Sequence, residues 1–148
     1  MKTLPGLLLA TALALAAATD ASAYKLSPPD VSAHLHGKLT FTPNEGANPQ
    51  PFTCAVTFDL KTKIPAIKAV KFIKGDCDGV FFINMPFPVH INDANSGVIG
   101  GGSFGSPSGN CVGEETQFQD NKSGIWTLPA GQCISGRLTS NPPTTIVK

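Results

Sequence analysis

Four cysteines constrain how this 148-residue chain folds more than any other feature of its sequence. An even number of cysteines is typical of a disulfide framework, and four cysteines allow three different pairings. We expect the pairs Cys54–Cys77 and Cys111–Cys133, because each closes a loop of similar size within one half of the chain. A zinc site is the alternative, but zinc ligands normally come in closely spaced pairs, and these cysteines are widely separated.

The N-terminus has the features of a secretory signal peptide. Lys2 provides a short positive region, Leu7 to Ala18 is a run of Leu, Ala and Thr, and residues 21–23 read Ala-Ser-Ala. The alternative is a membrane anchor, but the run is about a dozen residues and a bilayer core needs about 20. We predict a signal peptide at 1–23 and a secreted domain at 24–148, extracellular or else periplasmic, with no later transmembrane segment.

A strict alternation from Phe52 to Leu60 indicates a half-buried antiparallel strand. Phe52, Cys54, Val56, Phe58 and Leu60 share one face, so the Cys54 disulfide is expected to face the core. Further short strands separated by turn signals predict a single all-β domain, an antiparallel sandwich or a barrel. Their expected ranges are 35–42, 80–83, 89–91, 125–128, 133–139 and 144–147.

The segment from Ile64 to Lys74 is ambiguous. Ile64, Ile67 and Val70 recur at helical spacing, with lysines opposite, which is compatible with a short amphipathic helix. Its β-branched residues and the flanking strands favour an extended conformation instead.

The near-neutral charge of the chain argues against nucleic acid as a partner. Lys and Arg number 11 against 10 Asp and Glu, which gives a formal net charge of +1. Nucleic-acid binding needs a basic patch or stripe, so we expect no nucleic-acid partner. Only 14% of the residues are charged. A surface that depends on Ser, Thr, Asn and Gly for its solubility favours self-association.

We find no arrangement of residues that predicts catalysis. Nucleophilic catalysis needs a Ser, Cys or Thr beside an oriented base. The cysteines are assigned to disulfides, and we expect no nucleophile elbow around Ser103 or Ser106. The acidic residues lie mostly in turns. We therefore expect no enzyme, no catalytic residue and no cofactor.

Three histidines offer a second candidate metal site. His34 and His36 are two residues apart on a predicted strand, so they share a face, and His90 would complete a set of three imidazoles. The alternative is that all three are ordinary surface residues. We favour the surface positions and expect no metal.

Large apolar residues crowd a proline-rich segment. They form either part of the core or an exposed patch of the kind that marks a binding or interfacial surface. The candidate patch consists of Phe81, Phe82, Met85, Phe87 and Trp126.

The C-terminal stretch 131–142 resembles the closing segment of the PraB family of alkane oxidation protein activators. The matching feature is Cys133-Ile134-x-Gly-x-Leu138 ahead of a final strand rich in Pro and Thr. Phe52-Thr53-Cys54, Met85-Pro86-Phe87 after the second cysteine, and the sequence around Cys111 are similar as well.

The resemblance implies a small secreted protein that promotes growth on long-chain alkanes without catalysis. Such proteins are thought to act outside the cell, at a hydrocarbon or lipid-like interface. An adhesin-like or biofilm-matrix binding module is the alternative, in which an open sheet edge accepts strands from a partner.

Overall fold

The computed structural model describes residues 24–75, 77–113 and 115–148. Within these ranges the chain forms twelve strands and no helix, which confirms the all-β prediction. The predicted signal peptide, residues 1–23, lies outside the described residues and stays a prediction. The strands are β1 (Lys25–Ser27), β2 (Ser32–Phe41), β3 (Phe52–Lys61), β4 (Ala66–Gly75), β5 (Phe81–Phe82), β6 (Phe87–Ile91), β7 (Ser96–Ile99), β8 (Phe104–Gly105), β9 (Thr116–Asp120), β10 (Ile125–Leu128), β11 (Ile134–Asn141) and β12 (Thr145–Val147).

Eight of the described strands form a closed antiparallel barrel, which decides between the two predicted architectures. The order around the wall is β10-β11-β2-β3-β4-β6-β7-β9, and β9 pairs with β10 to close it. The other four strands form two small pairs, β1 with β12 and β5 with β8. Since a closed barrel has two open ends, both ends must be covered to keep the core dry.

The longest strands follow the alternation read from the sequence. In β3 the five residues predicted to face the core are buried, and Cys54 is completely so. In β2, which pairs with β3 over its whole length, Leu35, Leu39 and Phe41 are buried as predicted. Alternate side chains of a strand point to opposite faces, so these two strands place one row each in the barrel interior.

β4 resolves the ambiguous segment in favour of the extended conformation. It pairs antiparallel with β3 along its length, with two register shifts. Ile67 is buried and Val70 is half-buried, while Ile64 lies in the preceding turn and is 79% exposed. The helical spacing of these residues therefore reflects the turn and a bulge in the strand, not a helix.

Two wall strands were missed, β7 and β9. Residues 95–97 read Asn-Ser-Gly, a combination typical of a turn. In the structure Ser96 and Gly97 instead begin β7, and Gly97 pairs with Phe118 of β9. A Cβ at Gly97 would lie 2.5 Å from both the Phe118 ring and the His90 carbonyl oxygen. This glycine is therefore needed for close packing inside the sheet, a requirement that resembles a turn signal in the sequence alone.

The β1–β12 pair covers the barrel end at which β2 begins and β11 ends. It brings Leu26 and Ile146 into the core. The Trp126 indole donates to the Thr144 carbonyl oxygen at 3.0 Å, and its ring stacks on Phe118 at 4.3 Å. The buried Asp120 carboxylate accepts from the backbone N–H of Ile146 at 2.7 Å, so it ties β12 to the wall.

The opposite end is covered by a small sheet that we call the cap, formed by residues 81–83, 103–105 and 110–112. Phe81 pairs with Gly105 and Phe82 with Phe104. The sheet continues because the Ile83 N–H donates to Ser103 at 2.9 Å, and Phe104 and Cys111 exchange two backbone hydrogen bonds.

Both predicted disulfides are present. One attaches the cap to the wall, and the other attaches to the wall the chain that leads into the cap. Cys111 of the cap pairs with Cys133, directly before β11, with a Cα–Cα distance of 6.2 Å. Cys77, which lies between β4 and β5, pairs with Cys54 of β3 at 5.6 Å. Two structural disulfides are typical of proteins in an oxidising environment, extracellular or periplasmic.

The substitution Asp120→Ala is expected to destabilise the fold. It leaves the buried Ile146 N–H without an acceptor, which costs about 2 kcal/mol in the free energy of unfolding. Asp93→Ala is the matched control, because the Asp93 carboxylate is exposed and accepts from the Asn95 N–H at 2.8 Å, a bond that lowers the pKa of Asp93. Urea denaturation would measure both variants, and equal losses would contradict the role given to Asp120.

Removal of the cap disulfide by Cys111→Ser with Cys133→Ser is expected to reduce the free energy of unfolding by about 3 kcal/mol, because the unfolded chain gains entropy. The urea midpoint under non-reducing conditions measures this loss. Since the variant keeps Cys54–Cys77, a reductant should lower its midpoint further. An unchanged midpoint after the double substitution would show that the bridge does not hold the cap.

Candidate functional site

The outer surface of the cap carries three exposed apolar side chains. Phe81 is 59% exposed, Ile83 37% and Val112 53%. Each neighbours a residue whose side chain points inward: Phe82 lies between Phe81 and Ile83, and Cys111 precedes Val112. Because side chains alternate along a strand, the inward residues cover the barrel and the outward ones face solvent.

The pairing of the cap strands places these three side chains on one surface. The segment around Ser103 lies between Ile83 and Val112, so those two side chains are two strand spacings apart, about 10 Å. The Phe81 ring covers Gly105, where a Cβ would clash with it. We call this surface, made of Phe81, Ile83 and Val112 with Ser103 and Gly105 between them, the cap face.

An aromatic cluster beneath the cap fixes its position. The Phe104 ring is fully buried and meets the Phe41 ring edge to face at 5.2 Å. The Phe82 ring lies within 6.1 Å of four other rings, those of Phe41, Phe58, Phe72 and Phe87. Ring pairs at such distances add to the energy of apolar burial. The cap face is therefore presented on a supported sheet.

The segments that form the cap contain no charged residue, and Glu45, which pairs with Asn110, brings a carboxylate to the edge of the cap sheet. Residues 79–92 and 94–113 contain no Asp, Glu, Lys or Arg. Burial of an unpaired charge is costly, so a surface without charges is easier to transfer into an apolar phase. The polar groups of the cap that the structure describes are hydroxyls, amides and backbone groups, several of which are bonded within the cap. The Phe104 N–H, for example, donates to the Cys111 carbonyl oxygen at 3.0 Å.

The apolar patch predicted from the sequence is wrong for two of its residues. Trp126 is fully buried and Phe87 is 2% exposed, because both fill the barrel interior. Phe82 and Met85 are partly buried against the core, which leaves Phe81 as the one exposed member. Ile83 and Val112 were missed. The alternation of side chains around Phe82 would have identified Ile83 as exposed beside Phe81. Val112 could not be identified in this way, because it reaches the same surface only through pairing between segments that are distant in the sequence.

The barrel interior is packed with side chains. The void inside it is about 10 Å³, about the volume that one water needs. Small-molecule sites in proteins are usually about 300–1,000 Å³. A void of this size among the described residues is too small to hold an alkane chain. The void is lined by Phe58, Ile67, Phe82, Phe87, Ile99, Gly102, Thr116, Leu128 and Ile134.

Residues 101–105 read Gly-Gly-Ser-Phe-Gly and so match the letters of the Gly-x-Ser-x-Gly nucleophile elbow, which the sequence reading overlooked. A nucleophile elbow is a turn between a strand and a helix. Ser103 instead precedes β8 in the cap sheet, and the described part of the chain contains no helix. The Ser103 hydroxyl accepts from the Gly113 N–H at 3.2 Å, so its visible role is to stabilise the cap.

The histidines do not come together as a metal site. His34 and His36 lie on β2 and His90 on β6, with β3 and β4 between them in the wall. His34 instead contacts the Asp59 carboxylate at 2.7 Å on the exposed outer surface. Among the residues described, no three or more His, Cys, Asp or Glu side chains are placed to hold a metal ion.

Among the described residues, no helix is long and apolar enough to cross a bilayer.

Comparison with known proteins places the chain in a family. Residues 1–148 match the family described as alkane oxidation protein activator PraA/PraB-like. No curated protein and no solved structure matches the chain. The match agrees with the resemblance carried by the cysteine order and by the strand after Cys133. The chain therefore belongs to the PraA/PraB-like family of alkane oxidation protein activators.

Proposed function

We propose that this protein is a secreted, non-enzymatic accessory factor that promotes alkane use by contacting hydrocarbon, or a cell surface coated with it, through the cap face. The observation that carries the proposal is the exposure of Phe81, Ile83 and Val112 together on an uncharged sheet. Membership of a family of alkane oxidation activators supplies the hydrocarbon as the apolar partner.

The packed interior supports contact at the surface over transport inside the barrel. A carrier would need a cavity of several hundred cubic ångströms, and the void here is about 10 Å³. The cap face offers apolar area without requiring the fold to open. The two disulfides and the aromatic cluster beneath the cap support the cap sheet. The sheet can therefore keep its shape when Phe81, Ile83 and Val112 move from water into contact with hydrocarbon.

The expected strength of this contact is modest. Complete burial of a large apolar side chain contributes about 1.5–3 kcal/mol, so three side chains that are about half exposed contribute about 3 kcal/mol together. Since about 1.4 kcal/mol is a factor of ten, one molecule is enriched roughly a hundredfold at the interface. Adsorption is therefore reversible, and a measurable effect needs many copies on each droplet.

An adhesin-like or matrix-binding module is the second candidate, and one observation favours it. β4 extends beyond its neighbour β6, so part of a sheet edge has no paired strand among the described residues. Open edges accept strands from other chains.

The hydrocarbon proposal predicts that Phe81→Ser with Ile83→Ser and Val112→Ser abolishes most of the fall in water–hexadecane interfacial tension caused by micromolar folded protein. The reason is the loss of the exposed apolar area. Ile64→Ser is the matched control, because Ile64 is 79% exposed but lies in the turn at the other end of the β3–β4 hairpin.

Near-UV circular dichroism should show that both variants keep the native packing. If the triple variant lowers the interfacial tension as well as the unmodified protein does, the cap face is not the contact surface. If Ile64→Ser reduces the fall in interfacial tension by the same amount, the fall depends on exposed apolar residues in general and not on the cap face, and the proposal is wrong.

A further inference from the structure

The barrel wall has a long unpaired edge. β6 pairs with β4 only through Ala66↔Pro88 and Ile67↔Phe87, while β4 continues to Gly75. Residues 68–75, which we call the β4 overhang, have β3 on one side. On the other side, none of the described residues pairs with their backbone.

The route of the chain explains this edge. The segment before Phe87 would continue the pairing with β4, but it leaves the wall and forms β5, which pairs with β8 in the cap. The gap is sealed from inside by side chains, since the Phe82 ring stacks on the Phe72 ring at 5.7 Å. The core is thus covered while the backbone edge of the overhang is left for a further strand.

The overhang and the segment before it contain positively charged residues and no negatively charged ones. Five of the chain's 11 basic residues lie between positions 61 and 74, and this stretch contains no Asp or Glu. Lys68 and Lys71 are exposed on β4, Lys63 is exposed in the turn before it, and Lys61 is exposed at the end of β3. Ala69 and Ile73 are exposed beside them, so the outer face combines basic and apolar positions.

We propose that the β4 overhang binds an extended acidic segment of another protein as an added strand. The backbone edge supplies the hydrogen bonds of the ladder, and the lysines select carboxylates on the partner. A second copy of the same strand is disfavoured, since it would place lysines beside lysines and like charges on neighbouring strands destabilise the pair. An anionic lipid surface satisfies the lysines but not the row of backbone donors and acceptors.

Fluorescence anisotropy with a labelled eight-residue peptide of alternating Glu and Val tests the proposal. The folded protein should bind this peptide, with an affinity that falls as salt rises, and should not bind the Lys–Val counterpart. Lys68→Glu with Lys71→Glu should weaken binding at least tenfold. The control, Lys38→Glu with Arg137→Glu, makes the same charge change at exposed positions on β2 and β11 and should leave binding unchanged.

A second peptide separates strand addition from simple charge attraction. N-methylation of alternate residues along one edge removes the backbone donors and keeps every carboxylate, so it should abolish binding. Binding of the methylated peptide as tight as that of the parent would overturn the proposal. So would vesicles of phosphatidylglycerol that bind the protein through Lys68 and Lys71 while neither peptide binds.

This inference stands apart from the hydrocarbon contact. The triple substitution of the cap face should leave peptide binding unchanged, and the double substitution of Lys68 and Lys71 should leave the fall in interfacial tension unchanged. Amide chemical-shift changes on peptide addition should concentrate in residues 68–75. Changes concentrated in the cap instead would place the peptide on the wrong surface and contradict the proposed site.

Discussion

The insertion of the cap's aromatic rings into the open end of the barrel is the contact on which the rest of this structure depends. The Phe82 ring touches four other rings and Phe104 is fully buried, so the core at this end is completed by the cap. Burial of Phe82 also decides the positions of its neighbours. In an extended segment, Phe81 and Ile83 must then point outward, and the closure of the core creates the apolar surface on the outside.

The disulfides act on the same end of the molecule. A cap of short strands has few backbone hydrogen bonds of its own, and two- or three-residue strands are marginal without support. Cys111–Cys133 ties it to β11, and Cys54–Cys77 ties the chain entering it to β3. These links allow a small sheet to present apolar side chains to solvent without relying on charged neighbours to hold it in place.

The path that forms the cap also leaves the β4 overhang without a paired strand. Residues 81–86 cannot both cover the barrel end and extend the wall beside β4. They cover the barrel end, and β4 is therefore left without a neighbour along part of its length. The result is two surfaces of opposite chemistry. The cap face is apolar and uncharged, whereas the overhang is basic and offers an open backbone edge, so each suits a different class of partner.

The sequence alone determined the all-β class and the core-facing rows of β2 and β3, because alternation is a local signal. It left three cysteine pairings open, and the structure contains the expected one. It did not determine which aromatic residues are exposed. Trp126 and Phe87 became buried, and Val112 joined Phe81 and Ile83, through pairings between distant segments. Gly97 resembles a turn residue in the sequence, and only the structure shows that it is a strand residue packed against the Phe118 ring. The closure of the barrel decided these positions, since it fixes which face of each short strand meets the core.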